Sequence, residues 1–179
     1  MIKKTSITIL IVFNLFAIFY LVTPVPKVPD LINSVKSDQH EDTVDIPNVS
    51  GYYTDMTRAE VMKFYRDNYG GLLKINLNYP PERSKDLFRI NIQSYYLEEL
   101  SIPFKESLYI NGFEWENDVF NKPENRSPLP YKGKDYKSRI TIRTFPTSIP
   151  KRLISFFLTE FTTIIIILVI KSFIIKKKK

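Results

Sequence analysis

The chain has no cysteine. Disulfides, thiolate metal sites, thiol nucleophiles and a lipid-modified cysteine are therefore excluded together, and an exported domain built from this chain must hold itself together by burial alone. Histidine occurs once, at His40. One imidazole is too few for the nucleophile–base triads or for the usual histidine zinc sites, and its place beside Glu41 and Asp42 reads as a solvated loop. Glycine is scarce, with five residues and no phosphate-cradling spacing, which leaves no nucleotide loop. Carboxylates are the catalytic candidates that remain. Glu98 and Glu99 are adjacent on a stretch that reads as helix, where neighbours diverge by about 100 degrees and do not face each other. Glu114, Glu116 and Asp118 could line one strand face and attract Ca²⁺, but the plainer expectation is a solvated face. No catalytic, cofactor-binding or metal-binding residue is assigned, and no cofactor is expected.

Positive charge is plentiful but misplaced for nucleic acid. The formal net charge is +7, from 26 Lys and Arg against 19 Asp and Glu. Seven of those cations (Lys3, Lys4, Lys171, Lys176, Lys177, Lys178, Lys179) and one acid, Glu160, lie in the terminal segments, so the stretch between them is nearly neutral. A basic groove that would release phosphate counterions is not expected.

Two long apolar runs are present instead. Thr5 to Thr23 reads TSITILIVFNLFAIFYLVT without a charge. At about 1.5 Å per residue a helix of that length matches the hydrocarbon thickness of a bilayer. It is longer than the apolar core of a signal peptide, and Phe19 to Pro24 offers no small-x-small cleavage site. The second run follows Lys151-Arg152 and reads LISFFLTEFTTIIIILVIKSFII. Its β-branched residues would favour a strand in water, but in lipid a helix satisfies its own backbone. Cations flanking a span are retained in the cytoplasm. Lys3 and Lys4 before the first run and five lysines around the close of the second place both termini in the cytoplasm and residues 27–152 outside it, with Lys151-Arg152 opposing weakly. The expected location is the cell membrane.

Asn14 and Glu160 are polar positions at comparable depth inside these runs. An intramembrane carboxyl group is costly and is read first as functional. The plainer expectation is that it stays protonated, or bonds Thr162, Thr163 or Asn14 to fasten two helices. A contact between Asn14 and Glu160, within or between chains, is expected.

The organisation read from the chain is a cytoplasmic tip and span over 1–23, a Pro-rich polar tether over 24–47, an extracytoplasmic domain over 48–150, a second span over 151–175 and a lysine tail over 176–179. In the domain, Val49 to Thr54 has the residue content of a strand. Thr57-Arg58-Ala59-Glu60 has the pattern of a capping box that opens a helix, and Gly70-Gly71 stops it. Leu73, Ile75, Leu77 and Tyr79 alternate with polar residues as a half-buried strand does. Phe88, Ile92, Tyr95, Tyr96 and Leu100 recur at helical spacing after Pro81, and Pro103 kinks that helix into a second one ending at Asn111-Gly112. Phe113, Trp115, Val119 and Phe120 suggest a bent strand, Lys122 to Lys134 a loop, and Ile140, Ile142 and Thr144 a last strand. The fold class is α+β: a small domain with a mixed sheet and helices on one face, flanked by N-terminal and C-terminal transmembrane helices.

Tyr95, Tyr96, Tyr109, Trp115 and Tyr131 form a candidate interaction surface that would stack sugar or peptide rings, the alternative being that they are simply core. The stretch LNYPPERSKDLFRINIQSYYLEELSIPFKESLYINGFEW, with DMTRAEVMKFYRDNY before it and the closing apolar run, resembles a group of small uncharacterised two-span membrane proteins of ultra-small candidate-phyla bacteria. The likeness covers residues 48 to 175 and rests on Pro80-Pro81-Glu82, Tyr96-Leu97-Glu98-Glu99, Glu106-Ser107-Leu108-Tyr109 and Asn111-Gly112. It implies a bacterial cytoplasmic membrane and no particular chemistry. In a eukaryotic secretory setting, Asn48-Val49-Ser50 and Asn125-Arg126-Ser127 would be glycosylation acceptors and the terminal lysines a retrieval signal. The expected function is a structural or scaffolding module that binds another envelope component or forms a homo-oligomer through its spans. A small-ligand sensor or accessory subunit is the alternative, followed by a carboxylate-based envelope enzyme.

Overall fold

The structure is a computed structural model of the chain and describes residues 2–40, 44–71, 73–79, 96–118 and 121–176. The chain divides into two compact units, Met1–Pro24 with Thr147–Lys179, and Val25–Pro146.

The first unit is a pair of helices, α1 (Ile2–Val22) and the last helix of the chain, α3 (Ile149–Lys176). Each contains a stretch long and apolar enough to cross a membrane, Thr5–Val22 and Ile149–Ile174. Their apolar side chains are exposed on nearly every side, including Ile9, Leu15, Phe19, Ile154, Leu158 and Leu168. A helix that is apolar all round needs an apolar surrounding. The two helices meet at the rings of Phe13 and Phe156, 6.4 Å apart.

The second unit is built on β1 (Ser34–Lys36), β2 (Val49–Thr54), α2 (Arg58–Asn68), β3 (Ile75–Tyr79), β4 (Tyr96–Ile102), β5 (Glu106–Glu114), β6 (Leu129–Tyr131), β7 (Lys134–Tyr136) and β8 (Ser138–Pro146). Six strands form one sheet in the order β1-β2-β8-β5-β4-β3, and β6 and β7 form a separate hairpin. Ser34–Lys36 lie in the stretch read as a tether, yet they pair with Thr54 to Tyr52.

Three expectations are corrected. The loop read over Lys122 to Lys134 contains β6 and reaches the first residue of β7, whose pairing partners lie across the hairpin. The sheet is antiparallel in every pairing among the described strands, not mixed. β2 and β3, which α2 connects, run the same way but have β8, β5 and β4 between them. The kinked helix pair is instead the hairpin β4–β5 over residues 96–114; Phe88 to Tyr95, its expected first turns, lie outside the described residues. Leu100 and Ile102 on β4 and Leu108 and Ile110 on β5 are buried at alternate positions. That alternation was masked by Glu98, which continues the buried row but is a carboxylate. Pro103 opens the turn between the strands, where no ladder N–H is required of it, and Asn111-Gly112 lies inside β5, opposite Thr141 and Ile140.

One face of the sheet carries Leu100, Leu108, Ile110, Ile140, Ile142 and Tyr52, and α2 covers it with Val61, Met62 and Tyr65. The helix starts with the predicted capping box. Thr57 Oγ1 accepts from Glu60 N, and the Glu60 carboxylate accepts from Thr57 N at 2.7 Å. Hydrogen bonds fix both ends of the helix over β5. The Arg58 amide donates to the Glu114 carboxylate at one end, and the Tyr69 hydroxyl donates to Glu106 at 2.7 Å at the other. Glu106 and Glu114 are the two ends of β5, so α2 runs along it in the opposite direction.

Candidate functional site

Within the helix pair, Asn14 Nδ2 donates to Glu160 Oε1 at 3.0 Å and to its own helix at Leu10 O at 3.1 Å. Thr159, Thr162 and Thr163 each donate to the carbonyl four residues earlier, at 2.8 Å. The threonines therefore serve their own helix, and the cross-helix bond goes to Asn14. A second cross-helix link involves Arg152, only 6% exposed. Its Nη1 donates to the carbonyls of Leu21 (3.1 Å) and Thr23 (3.3 Å), and its Nε to Thr147 O at 2.6 Å. The last carbonyls of a helix have no partner of their own and carry partial negative charge, so Arg152 caps the end of α1. Its forked donor set reaches two carbonyls at once, which an ammonium holds less well.

Of the five aromatic residues expected to share a surface, Tyr109, Trp115 and Tyr131 have described side chains, each with its own neighbours. Tyr131 is buried, stacked on Tyr53 at 4.2 Å with rings 8° from parallel, and Tyr136 closes the cluster at 5.9 Å from Tyr53. Tyr109 meets Phe145 edge to face at 5.4 Å. Trp115 lies in a short 3₁₀ turn, Trp115–Asn117, and its amide donates to Lys137 O. Tyr96 stands at the start of β4, and Tyr95 lies outside the described residues.

The carboxylates are each committed to partners, and Glu98 and Glu114 both meet Arg58. Glu98 and Glu99 are strand neighbours and so point to opposite faces of β4. Glu98, 3% exposed, takes Nε and Nη2 of Arg58 at 3.1 and 2.5 Å. Glu99 accepts from Ser107 Oγ at 2.7 Å. Glu114 serves the start of α2 and accepts from Asn117 Nδ2, Glu116 pairs with Lys137, and Asp118 accepts from Asn121 Nδ2. Among the described residues no three His, Asp or Glu side chains converge as metal ligands would. His40 is exposed, 3.5 Å from Asp45.

A groove of about 530 Å³ lies where β1, the start of α2 and β7 come together, lined by Asn33, Ser34, Val35, Asp55, Met56, Glu60, Lys134 and Tyr136. That volume is in the range of ligand-binding clefts. Val35, Met56 and Tyr136 supply apolar wall, and Asp55, Glu60 and Lys134 supply charge. Lys134 Nζ bonds Asp55 at 2.8 Å, which holds the Asp55 carboxyl below its usual range and raises the Lys134 ammonium. Glu60 is held low by its bonds from the Thr57 amide and hydroxyl.

The strand edge beside the groove is open to a further strand. Ser37 N bonds Gly51 O at 2.8 Å. Bonded and non-bonded pairs alternate in an antiparallel ladder, so Val35 turns its amide and carbonyl to β2 while those of Ser34 and Lys36 face away from it. Behind this edge, Tyr131 Oη donates to the Asp38 carboxylate, the Asp38 amide donates to Tyr131 Oη at 2.9 Å, and Lys132 Nζ bonds Asp38 at 2.6 Å. The Lys132 bond, then the tyrosine hydroxyl, hold Asp38 below the usual carboxylate range. The chain that follows β1 is thereby fastened to the β6–β7 hairpin.

No family model, curated protein or solved structure matches the chain.

The groove was not legible in the sequence. Asp55, Glu60 and Lys134 are ordinary surface residues on a linear reading, and 79 positions separate Asp55 from Lys134. The one local signal was the capping box, which placed Glu60 at a helix start.

Proposed function

We propose that this protein is a membrane-anchored binding module of a bacterial cell envelope. The two apolar helices span the cytoplasmic membrane with both termini inside, and the sheet unit stands outside it and holds a partner protein by an extended segment laid along β1. The reading is supported above all by the groove, because Ser34, whose amide faces away from β2, lines it beside Val35, Met56 and Tyr136, and the outward amide of Lys36 continues the same strand edge. Strand addition takes its affinity from such main-chain groups and its selectivity from side-chain subsites. Asp55 and Glu60 against Lys134 leave the groove with one net negative charge, so the preferred segment carries a lysine or arginine. Orientation is supported by the flanking lysines. Arg152 weighs little against them, because it is committed to the carbonyls of Leu21 and Thr23. The bacterial setting rests on the resemblance described above.

The experiment is selection of peptides from a random displayed library on the full-length protein in lipid nanodiscs. Peptides alternating apolar and basic residues are expected. Lys36→Pro deletes an outward amide without touching the ladder to β2 and should weaken those peptides at least about tenfold, the loss of a main-chain hydrogen bond plus steric exclusion. Selected peptides that bind Lys36→Pro as well as the parent, with folding unchanged, would refute strand addition.

A further inference from the structure

One end of the sheet is chemically unlike the other. At the first end lie the last residues of β8 and β4 and the first of β2, β3 and β5, because Ile102, Glu106 and Pro146 share a row, as do Ile75, Ser101, Ser107 and Phe145. Both connections toward the apolar helices depart here. Pro146 ends β8 at this point, and Pro26 lies against Gly70, just beyond α2, whose Tyr69 bonds Glu106. Three residues separate Phe145 from Ile149, the start of α3, a chain reach of at most about 14 Å.

Large apolar side chains are exposed across this same end: Leu73 (54%), Ile75 (51%), Phe104 (52%) and Phe145 (47%), with Ile46 beside the start of β2. Cations accompany them. The Arg143 guanidinium lies 4.6 Å over the Phe145 ring, and Lys74 reaches the carbonyls that end α2. The opposite end carries the ion pairs Lys134–Asp55 and Lys137–Glu116, and Ile32 is exposed there.

Phe104 adds an independent observation. It sits in the turn between β4 and β5 with φ of 62°. Glycine or asparagine normally takes that left-handed position, and a bulky residue there costs about 1–2 kcal/mol. The turn itself does not call for phenylalanine, and half of its surface is open to the surroundings. Strain held at an exposed position points to a use.

We infer that this end of the sheet is a lipid-docking surface. Phe104 and Phe145 enter the boundary between headgroups and acyl chains, Leu73, Ile75 and Ile46 rest on it, and the neighbouring cations meet anionic headgroups. The inference rests on the proposal that the two helices span a membrane. Docking would hold the sheet at a fixed height and leave the groove at the far end facing away from the lipid.

The test uses full-length protein in vesicles of phosphatidylcholine and phosphatidylglycerol, in a Trp115→Phe background with single tryptophans at Phe104, Phe145 or Ile166, the last within α3. Lipids brominated near the top of their acyl chains should quench Phe104→Trp and Phe145→Trp strongly, while Trp115 of the parent protein keeps its emission. Quenching of Ile166→Trp, with positions 104 and 145 no more quenched than Trp115, overturns docking and leaves the spans standing. An unquenched Ile166→Trp removes both. Shielding of 104 and 145 from aqueous acrylamide without bromine quenching means that a second copy or another protein covers this end, which also overturns docking. Phe104→Gly separates packing from docking. It should preserve or raise the melting temperature and reduce the quenching of Phe145→Trp, whereas a destabilised domain would show that Phe104 serves the fold.

Discussion

Asn14 and Glu160, 146 positions apart, are joined by a hydrogen bond of 3.0 Å between the two apolar helices. Asn14 is also tied to Leu10 O, so its amide is oriented before it meets the carboxyl oxygen. Cysteines at both positions, in a chain that has none of its own, should crosslink within one molecule on oxidation, read as a faster-migrating band without reductant. Asn14→Leu should weaken the pair by about 0.6–2 kcal/mol, the span of interhelical hydrogen bonds in bilayers. A crosslink formed only between molecules would reassign the contact to a dimer.

Arg152 predicts a larger loss. Arg152→Met leaves the carbonyls of Leu21 and Thr23 without their donor, at an expected cost of about 1–3 kcal/mol. Arg152→Lys should recover part of it, because one ammonium replaces a two-pronged donor. Thermal unfolding in detergent measures both. An Arg152→Met variant as stable as the parent would show that the cap contributes nothing.

The Arg58–Glu98 pair should behave as a buried charge pair. Glu98 is almost wholly enclosed and Arg58 is its cation. Arg58→Met alone should cost about 3 kcal/mol or more, since it strands a carboxylate in the core, and adding Glu98→Leu, itself the second single variant, should regain much of that loss. Chemical denaturation of the four proteins closes the cycle; additive losses would contradict the coupling.

Stability should fall on both sides of neutrality. Burial, then hydrogen bonding to Asp30 and Glu106, raises the Tyr52 and Tyr69 hydroxyls far above the ordinary tyrosine value. A group raised on folding contributes stability that is complete below its unfolded value and lost as pH climbs toward the folded one, here from about 10 upward. Tyr52→Phe with Tyr69→Phe should flatten that alkaline limb. Asp30, Asp38 and Asp55 are lowered by their hydrogen-bonding partners, so their share is present above about 4 and disappears as pH drops further. A melting temperature unchanged between pH 7 and 3 would contradict the acid side.

The sequence was informative where local physics decides. Alternation gave β3 and β8, the Thr57–Glu60 box gave the start of α2, and uninterrupted apolar length gave the two candidate spans. It misled where a polar residue sits inside. Glu98 breaks the alternation of β4, so YLEELSI reads as helix by the spacing of its apolar residues, and only Arg58, 40 positions earlier, explains a carboxylate there. β1 and the Asp38–Tyr131 fastening depend on partners far along the chain, beyond what a window of neighbours carries. The surroundings of the tyrosines lie beyond the sequence for a related reason, since composition counts them but does not say that Tyr131 stacks on Tyr53 while Tyr109 stands beside Phe145.

The central claim is that two helices cross the bilayer and carry the sheet unit on its outer side. Single cysteines at Lys132, Ile166 and Lys178, probed in intact cells with a membrane-impermeant maleimide, test it most directly. The account predicts labelling at 132 in intact cells, at 178 only after the membrane is opened, and at 166 in neither case. Labelling of 178 in intact cells while 132 stays silent would invert the orientation, and rapid labelling at 166 would contradict the span itself.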